Sequence, residues 1–183
     1  MLIKLFPLLL WFMVVNAQET ATSKKVDNIQ QTAIITYRIV HPLHEFESTS
    51  KEATAQIEFD ETKKAITGVS AQVDVTSFDS GNSNRDSHAM EVIDALTYPD
   101  ASFTSSNITQ SNDSLSVTGK LTFHGVTKDI TFGAVTSWSA DTLKVKGAFT
   151  TTLTEFNIDR PSLLMIPVKD SLWFTLSAMF YMK

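Results

Sequence analysis

Residues 115–123 read Leu115-Ser116-Val117-Thr118-Gly119-Lys120-Leu121-Thr122-Phe123. Every second position is apolar or small, and the positions between are polar. A period of two is the signature of a strand with one face buried, because successive side chains point to opposite sides of a sheet. The same rhythm recurs on both sides of this stretch. Ala53, Ala55, Ile57 and Phe59 alternate with polar residues, as do Val69, Ala71, Val73 and Val75, and again Leu143, Val145, Gly147 and Phe149. Segments 33–40, 102–109, 128–137 and 171–182 alternate less cleanly but are rich in threonine, valine and phenylalanine, which favour pleated structure. Turn-forming groups separate them: Glu61-Thr62-Lys63, Ser111-Asn112-Asp113, Gly125 and Ser139-Ala140-Asp141. About eight strands on short connections predict an all-β antiparallel fold.

Two stretches break the rhythm. Residues 85–96 place Ala89, Met90, Val92, Ile93 and Leu96 at helical spacing, with Asn84 or Asp86 as the N-cap and Pro99 as the stop. Between Glu155 and Asp170, Pro161 and Pro167 bracket the apolar run Leu163-Leu164-Met165-Ile166, which reads as a plug for the core or a lid over a pocket.

The N-terminus carries Lys4, then an apolar run from Leu5 to Val15, then Val15-Asn16-Ala17 before a polar stretch. This is the pattern of a secretory signal peptide over residues 1–17, and the run is shorter than the ~20 residues that span a bilayer. The expected organisation is a leader 1–17, a flexible lead-in 18–30 and a barrel domain 31–183. The product is expected to be soluble in the periplasm or secreted, with no stable membrane anchor once the leader is cleaved. The 183-residue chain has 15 basic and 20 acidic residues, a net charge of −5. Cleavage removes Lys4 and no acid. An acidic surface repels phosphate backbones, which argues against nucleic acid as a partner. The chain has no cysteine, so no disulfide, thiol nucleophile or thiolate metal site is available.

No catalytic constellation stands out. Gly68-Val69-Ser70 lacks the glycine of a nucleophile elbow, and His44-Glu45 lacks the second histidine of a zinc-protease helix. His41 and His44 flank Pro42 and are read as polar loop or rim residues, with no metal site. A barrel of about eight strands can fill its interior or hold one small ligand. Small residues on the apolar faces, among them Ala53, Ala55, Ala71, Gly119, Ala134 and Gly147, leave room between dispersed phenylalanines.

Further motifs sharpen the reading. Thr76-Ser77-Phe78-Asp79-Ser80-Gly81, Asn84-Arg85-Asp86, His88, Ala95, Tyr98-Pro99, Phe103, Ser105-Ser106 and the block Val117 to Lys128 together resemble the YceI-like family over about half the mature chain. The resemblance implies an extended antiparallel lipocalin-like β-barrel with a short inserted helix. It implies an exported, non-enzymatic protein holding a polyisoprenoid or an isoprenoid quinone, with no required cofactor. The pocket-lining candidates are Val73, Val75, Met90, Ile93, Phe103, Val117, Leu121, Phe132, Phe149 and Phe174. Candidates for the pocket mouth are Arg85, His88, Arg160, Leu163, Leu164 and Met165. The sequence departs from the family pattern at Pro42-Leu43-His44 and at Pro161-Ser162-Leu163-Leu164, so the mouth is where this chain should differ. Two rival readings are a non-binding interaction or stress module with a solid barrel, and a lipid-modifying enzyme with His88 or His124 as base. A homodimer is compatible with the sequence.

Overall fold

The computed structural model describes residues 22–183, so the leader expected over residues 1–17 lies outside the described residues. Ten strands form one antiparallel sheet: β1 (Ser23–Asp27), β2 (Ile34–His41), β3 (His44–Ser50), β4 (Thr54–Asp60), β5 (Ala65–Asp74), β6 (Asp100–Ser111), β7 (Ser114–Phe123), β8 (Val126–Ser139), β9 (Thr142–Thr152) and β12 (Ser171–Tyr181). The strands β10 (Ser162–Leu163) and β11 (Ile166–Pro167) make a separate small hairpin, and one helix, α1 (Ser83–Val92), sits between β5 and β6. The strand order is β1-β4-β5-β6-β7-β8-β9-β12-β2-β3.

The sheet curls until its two flanks meet through loops. After β1 the chain crosses the gap: the Asn28 N–H donates to the Ala55 carbonyl of β4 at 2.8 Å, and the Ile29 N–H to the Met179 carbonyl of β12 at 2.7 Å. On the other edge Thr49 of β3 and Asp79, beyond β5, exchange backbone hydrogen bonds of 3.0 and 3.1 Å. The result is a curled, incompletely closed lipocalin-like barrel.

All eight expected strands are present. The structure adds β1, β3 and the β10–β11 hairpin. Residues 23–27 fall within the stretch expected to be a flexible lead-in, but they pair with β4 from Ser23–Asp60 to Asp27–Gln56. Val26 is their single apolar residue, so the strand rests on its ladder and on the Lys24–Glu61 ion pair at 2.8 Å rather than on an alternating pattern. In β3 the inward positions are Phe46, Ser48 and Ser50, and buried serines leave no apolar period to read.

The helix begins and ends earlier than residues 85–96. Asn82, not Asn84 or Asp86, is the N-cap, its side chain accepting the Arg85 N–H. Asp94 at φ 46° turns the chain out of the helix, five residues before Pro99. Leu96 therefore leaves the expected apolar stripe and is 98% exposed.

A bulge fixes the middle of the sheet. The β6–β7 register slips between Thr104 and Asn107, so Ser105 and Ser106 together face Gly119. A Cβ at Gly119 would lie 2.4 Å from the Thr104 carbonyl oxygen and 2.6 Å from the Phe103 ring, so only glycine fits under the bulge.

Two apolar cores close off the barrel at separate places. One contains Ile57, Phe59, Ile66, Leu143, Ala178 and Phe180; the other contains Ile39, Leu121, Leu153, Phe156, Ile158, Val168 and Leu172. Phe103 packs against both.

Candidate functional site

The inward faces of the strands surround a cavity of about 610 Å³ lined by residues of both cores. Its walls come from β2, β3, β4, β5, β6, β7, β8, β9 and β12, and α1 lies along one side of it. The small residues read from the sequence explain the space. Ala55, Ala71 and Ala134 line the cavity, and Gly147 stands beside it, opposite Leu176 and Ala134, with nothing projecting from its own backbone. Phe103, Phe132, Phe149 and Phe174 form a chain of adjacent rings along the wall, with centroids 5.5, 5.6 and 4.8 Å apart in turn.

The structure brings Val73, Val75, Met90, Ile93, Phe103, Val117, Leu121, Phe132, Phe149 and Phe174 together in this one wall. Other wall residues escaped the sequence reading. Ile35, Tyr37 and Phe46 lie on the weakly alternating β2 and the serine-rich β3. Phe78 lies in an irregular segment, where no period marks an inward side chain.

Of the six residues expected at the mouth, Arg85, His88 and Leu163 line the cavity and Arg160, Leu164 and Met165 do not. Arg160 folds back on its own loop, its Nε donating to the Val168 carbonyl at 2.8 Å with a second bond from the other guanidinium nitrogen. Leu164 and Met165 are the tip of the β10–β11 hairpin and are 77% and 96% exposed. The run 163–166 is thus divided: Leu163 adds to the cavity wall, while a two-residue turn leaves the Leu164 and Met165 side chains away from it.

Polar groups gather where α1 meets β2 and β3. The Arg85 guanidinium lies 4.5 Å over the Phe46 ring and donates to the Ser80 hydroxyl and carbonyl, both at 2.8 Å. Asp86 accepts from the Ser80 N–H and hydroxyl. Arg85 and Asp86 thereby seat the start of the helix on the Ser80 loop through a shared serine. Burial raises the Tyr37 phenol above its usual pKa of 10.0, and the Asp86 charge adds to the rise, while the Ser48 hydroxyl and Arg85 act in the opposite direction. Ser48 faces Tyr37 in the β2–β3 register, and its buried Oγ has no hydrogen bond of good geometry.

The histidines are divided in their roles. His41 is buried, accepts the Leu43 N–H on Nδ1 at 3.2 Å, and so donates through Nε2 to the Ile166 carbonyl at 2.9 Å. Both of its ring nitrogens are occupied in tying the β2–β3 turn to the small hairpin. His124 does not line the cavity; its Nδ1 meets the Phe156 carbonyl at 2.9 Å and its ring packs on Tyr98 at 4.5 Å. The neighbouring Gly125, at φ 70°, passes so close beneath the Tyr98 ring that a Cβ would come within 2.6 Å of it. His88 stands at the cavity mouth, 3.7 Å from Glu91, with most of its side chain in solvent. Among the described residues, no three histidines or carboxylates cluster as metal ligands, and no helix is long and apolar enough to cross a membrane.

Comparison with known proteins bears on this architecture. The model of the YceI-like domain matches residues 24–180. A YceI protein of Escherichia coli O157:H7 is 33% identical over 117 residues, covering 62% of this chain and 61% of the relative, so the match spans less than two thirds of that relative's length. A UPF0312 protein of Pseudomonas putida KT2440 is 30% identical over 154 residues, 79% of this chain and 80% of the relative. Among solved structures, Burkholderia cenocepacia BcnA superposes with a TM-score of 0.75 at 24% identity, covering 83% of this chain and 98% of the other. A polyisoprenoid binding domain from Saccharophagus degradans superposes with a TM-score of 0.69 at 11% identity, covering 86% and 98%. At these identities the two structures speak to the fold.

Proposed function

The chain belongs to the YceI-like domain family, and from that premise we propose that it holds one long apolar lipid, a polyisoprenoid or the tail of an isoprenoid quinone, inside its barrel for transport or storage without altering it chemically. The observation that carries this reading is the cavity of about 610 Å³, walled almost wholly by hydrocarbon side chains. If each carbon group occupies roughly the ~30 Å³ of a water molecule in the liquid, the space holds about twenty carbons. At ~0.8 kcal/mol per buried methylene the gross gain exceeds ~10 kcal/mol, enough to bind tightly after ordering costs. The fold shared with a polyisoprenoid binding domain supports the same cargo.

A solid interaction module needs a filled interior, which disfavours that rival. Of the two histidines that an enzymatic role would use as base, His124 is committed to the Phe156 carbonyl and lies off the cavity, while His88 lines the cavity but is mostly in solvent beside Glu91, so a His88→Ala variant that still binds lipid and leaves it unaltered supports the carrier reading. The leader-like residues 1–17 and the family's periplasmic setting support an exported carrier. Native mass spectrometry of the protein purified from its own host should show a co-purified lipid whose extraction yields an isoprenoid. Ligand-free protein that also takes up neither polyprenols nor quinones would refute the proposal.

A further inference from the structure

Among the described residues, half of the large exposed apolar side chains lie together at one place. The β10–β11 hairpin carries Leu163, Leu164, Met165 and Ile166 at 48%, 77%, 96% and 37% exposure. Leu43, 61% exposed, stands beside them, because His41 binds the Ile166 carbonyl and the Lys169 N–H binds the Val40 carbonyl at 2.7 Å. The segment Pro161 to Val168 contains no charged residue, while Arg160 and Lys169 bracket it.

The hairpin is costly to build. Leu164 and Met165 sit at φ 52° and 66°, the pair of positive φ values that a two-residue I′ turn demands and that Asn-Gly satisfies without strain. Large apolar side chains in this conformation suffer a steric penalty as well as exposure to water. Local folding therefore gains nothing from these two residues. What they share is location: Pro161, Ser162 and Leu163, immediately before the turn, line the cavity, and the exposed tip follows directly from that part of the wall.

We propose that this hairpin, with Leu43, is a membrane-docking tip that inserts among the acyl chains of a phospholipid surface and sets the cavity mouth against it. The inference rests on the lipid-carrier reading for its purpose. An apolar cargo has negligible concentration in water, so it must enter and leave the cavity at an apolar surface. The occupant is a bilayer rather than a protein groove because the apolar residues form an exposed hairpin tip, not a broad face, and because the inserted segment carries no charge, with Lys169 at its end to meet the headgroups. With an acidic chain overall, insertion of the tip rather than general charge attraction must hold the protein to the surface.

The test is Leu164→Asn combined with Met165→Gly, which replaces the tip by residues suited to the same turn and leaves the cavity wall untouched. The mature protein and this variant are compared by flotation with phosphatidylcholine vesicles and, separately, by titration with a fluorescent isoprenoid in the absence of vesicles. The variant should melt at an equal or higher temperature and take up the isoprenoid with unchanged affinity. Its partition onto vesicles should fall by about a hundredfold, the effect expected when two large side chains no longer leave water. Equal flotation of both proteins, or no flotation of the unmodified one, overturns the docking inference. Failure of both proteins to take up the isoprenoid refutes the carrier reading instead, which the titration reads independently of the vesicles.

Discussion

Ala71→Phe tests whether cargo runs the length of the cavity. Ala71 lies in β5 between Val69 and Val73, in register with Ala55 on one side and Phe103 on the other, and its methyl faces the cavity. A phenyl ring there adds six carbons to space that the cargo would use. If each displaced chain carbon costs the ~0.8 kcal/mol of a buried methylene, complete displacement of six costs ~5 kcal/mol. A flexible chain can shift or leave its end outside, so about half of that is expected. Binding of a twenty-carbon isoprenoid alcohol should weaken by about sixtyfold, since ~1.4 kcal/mol is tenfold. A ten-carbon analogue, which can lie entirely to one side of the ring, should lose much less. The ring enters open space rather than a packed core, so the unliganded variant should melt no lower than the parent protein. Fluorescence titration with both alcohols, alongside thermal melts, provides the measurement. A folded variant that binds both chains as tightly as the parent would refute the reasoning, because the cargo could not then pass Ala71.

Three further predictions follow from the walls and the mouth. Gly119→Val forces a side chain into the Thr104 carbonyl and the Phe103 ring, and urea denaturation should show a loss of about 1–3 kcal/mol; an unchanged midpoint would contradict the bulge geometry. His41→Phe removes the imidazole bond that ties the end of β2 to the Ile166 carbonyl of the small hairpin, along with the one that holds the Leu43 N–H within the β2–β3 turn, so amide exchange over 162–168 should accelerate while the main sheet stays protected; equal protection would show that the hairpin is held otherwise. Asp60, Glu61, Asp74 and Glu155 are all held below the ordinary carboxyl range, chiefly by hydrogen bonds from the Lys63 N–H, the Lys24 ammonium, the Thr76 hydroxyl and the Thr151 hydroxyl respectively. A carboxyl lowered in the folded state stabilises the fold fully above its unfolded pKa, here 3.8 for aspartate and 4.5 for glutamate, and that stability is lost as pH falls through the folded value. The melting temperature should therefore decline below about pH 4.5, and less steeply in Asp60→Asn; a flat profile down to about pH 3 would contradict this.

The strands that line the cavity with a two-residue period were legible because burial on one face writes itself into the sequence. β7 is the clearest case, with Leu115, Val117 and Leu121 buried as the alternation requires. The strands that went unread obtain their stability from elsewhere. β1 is an edge strand held by its ladder and ion pairs, and β3 buries two serines, of which Ser50 finds its partner in the distant Ser77 at 2.6 Å. Such partners are distant in sequence and leave no local pattern. The same holds for the site. Residues on regular strands were identified as wall, whereas Leu164 and Met165 were misjudged because composition cannot tell a lid from a spike. That difference lies in two backbone dihedrals, and an Asn-Gly turn would have disclosed it where Leu-Met concealed it.

A barrel with a hollow centre forgoes packing that most domains rely on. Each apolar side chain that faces the cavity lacks the partner atoms a filled core would give it. Without disulfides, the walls must compensate through the continuous hydrogen-bonded ladder and the two cores. Any molecule that occupies the void in the folded state alone then stabilises the fold by mass action. At a free concentration one hundred times its dissociation constant, the gain is about 2.7 kcal/mol. For a domain of this size each kilocalorie raises the melting temperature by about 2–4 °C, so delipidated protein refilled with an isoprenoid alcohol should melt about 5–10 °C higher. The rise should be smaller for Ala71→Phe at the same total ligand, because less of the chain is bound. Differential scanning calorimetry measures both. If the stripped protein melts at one temperature with and without the alcohol, the cavity is not a binding site for it, and the cost of keeping the barrel hollow must be balanced by some other occupant.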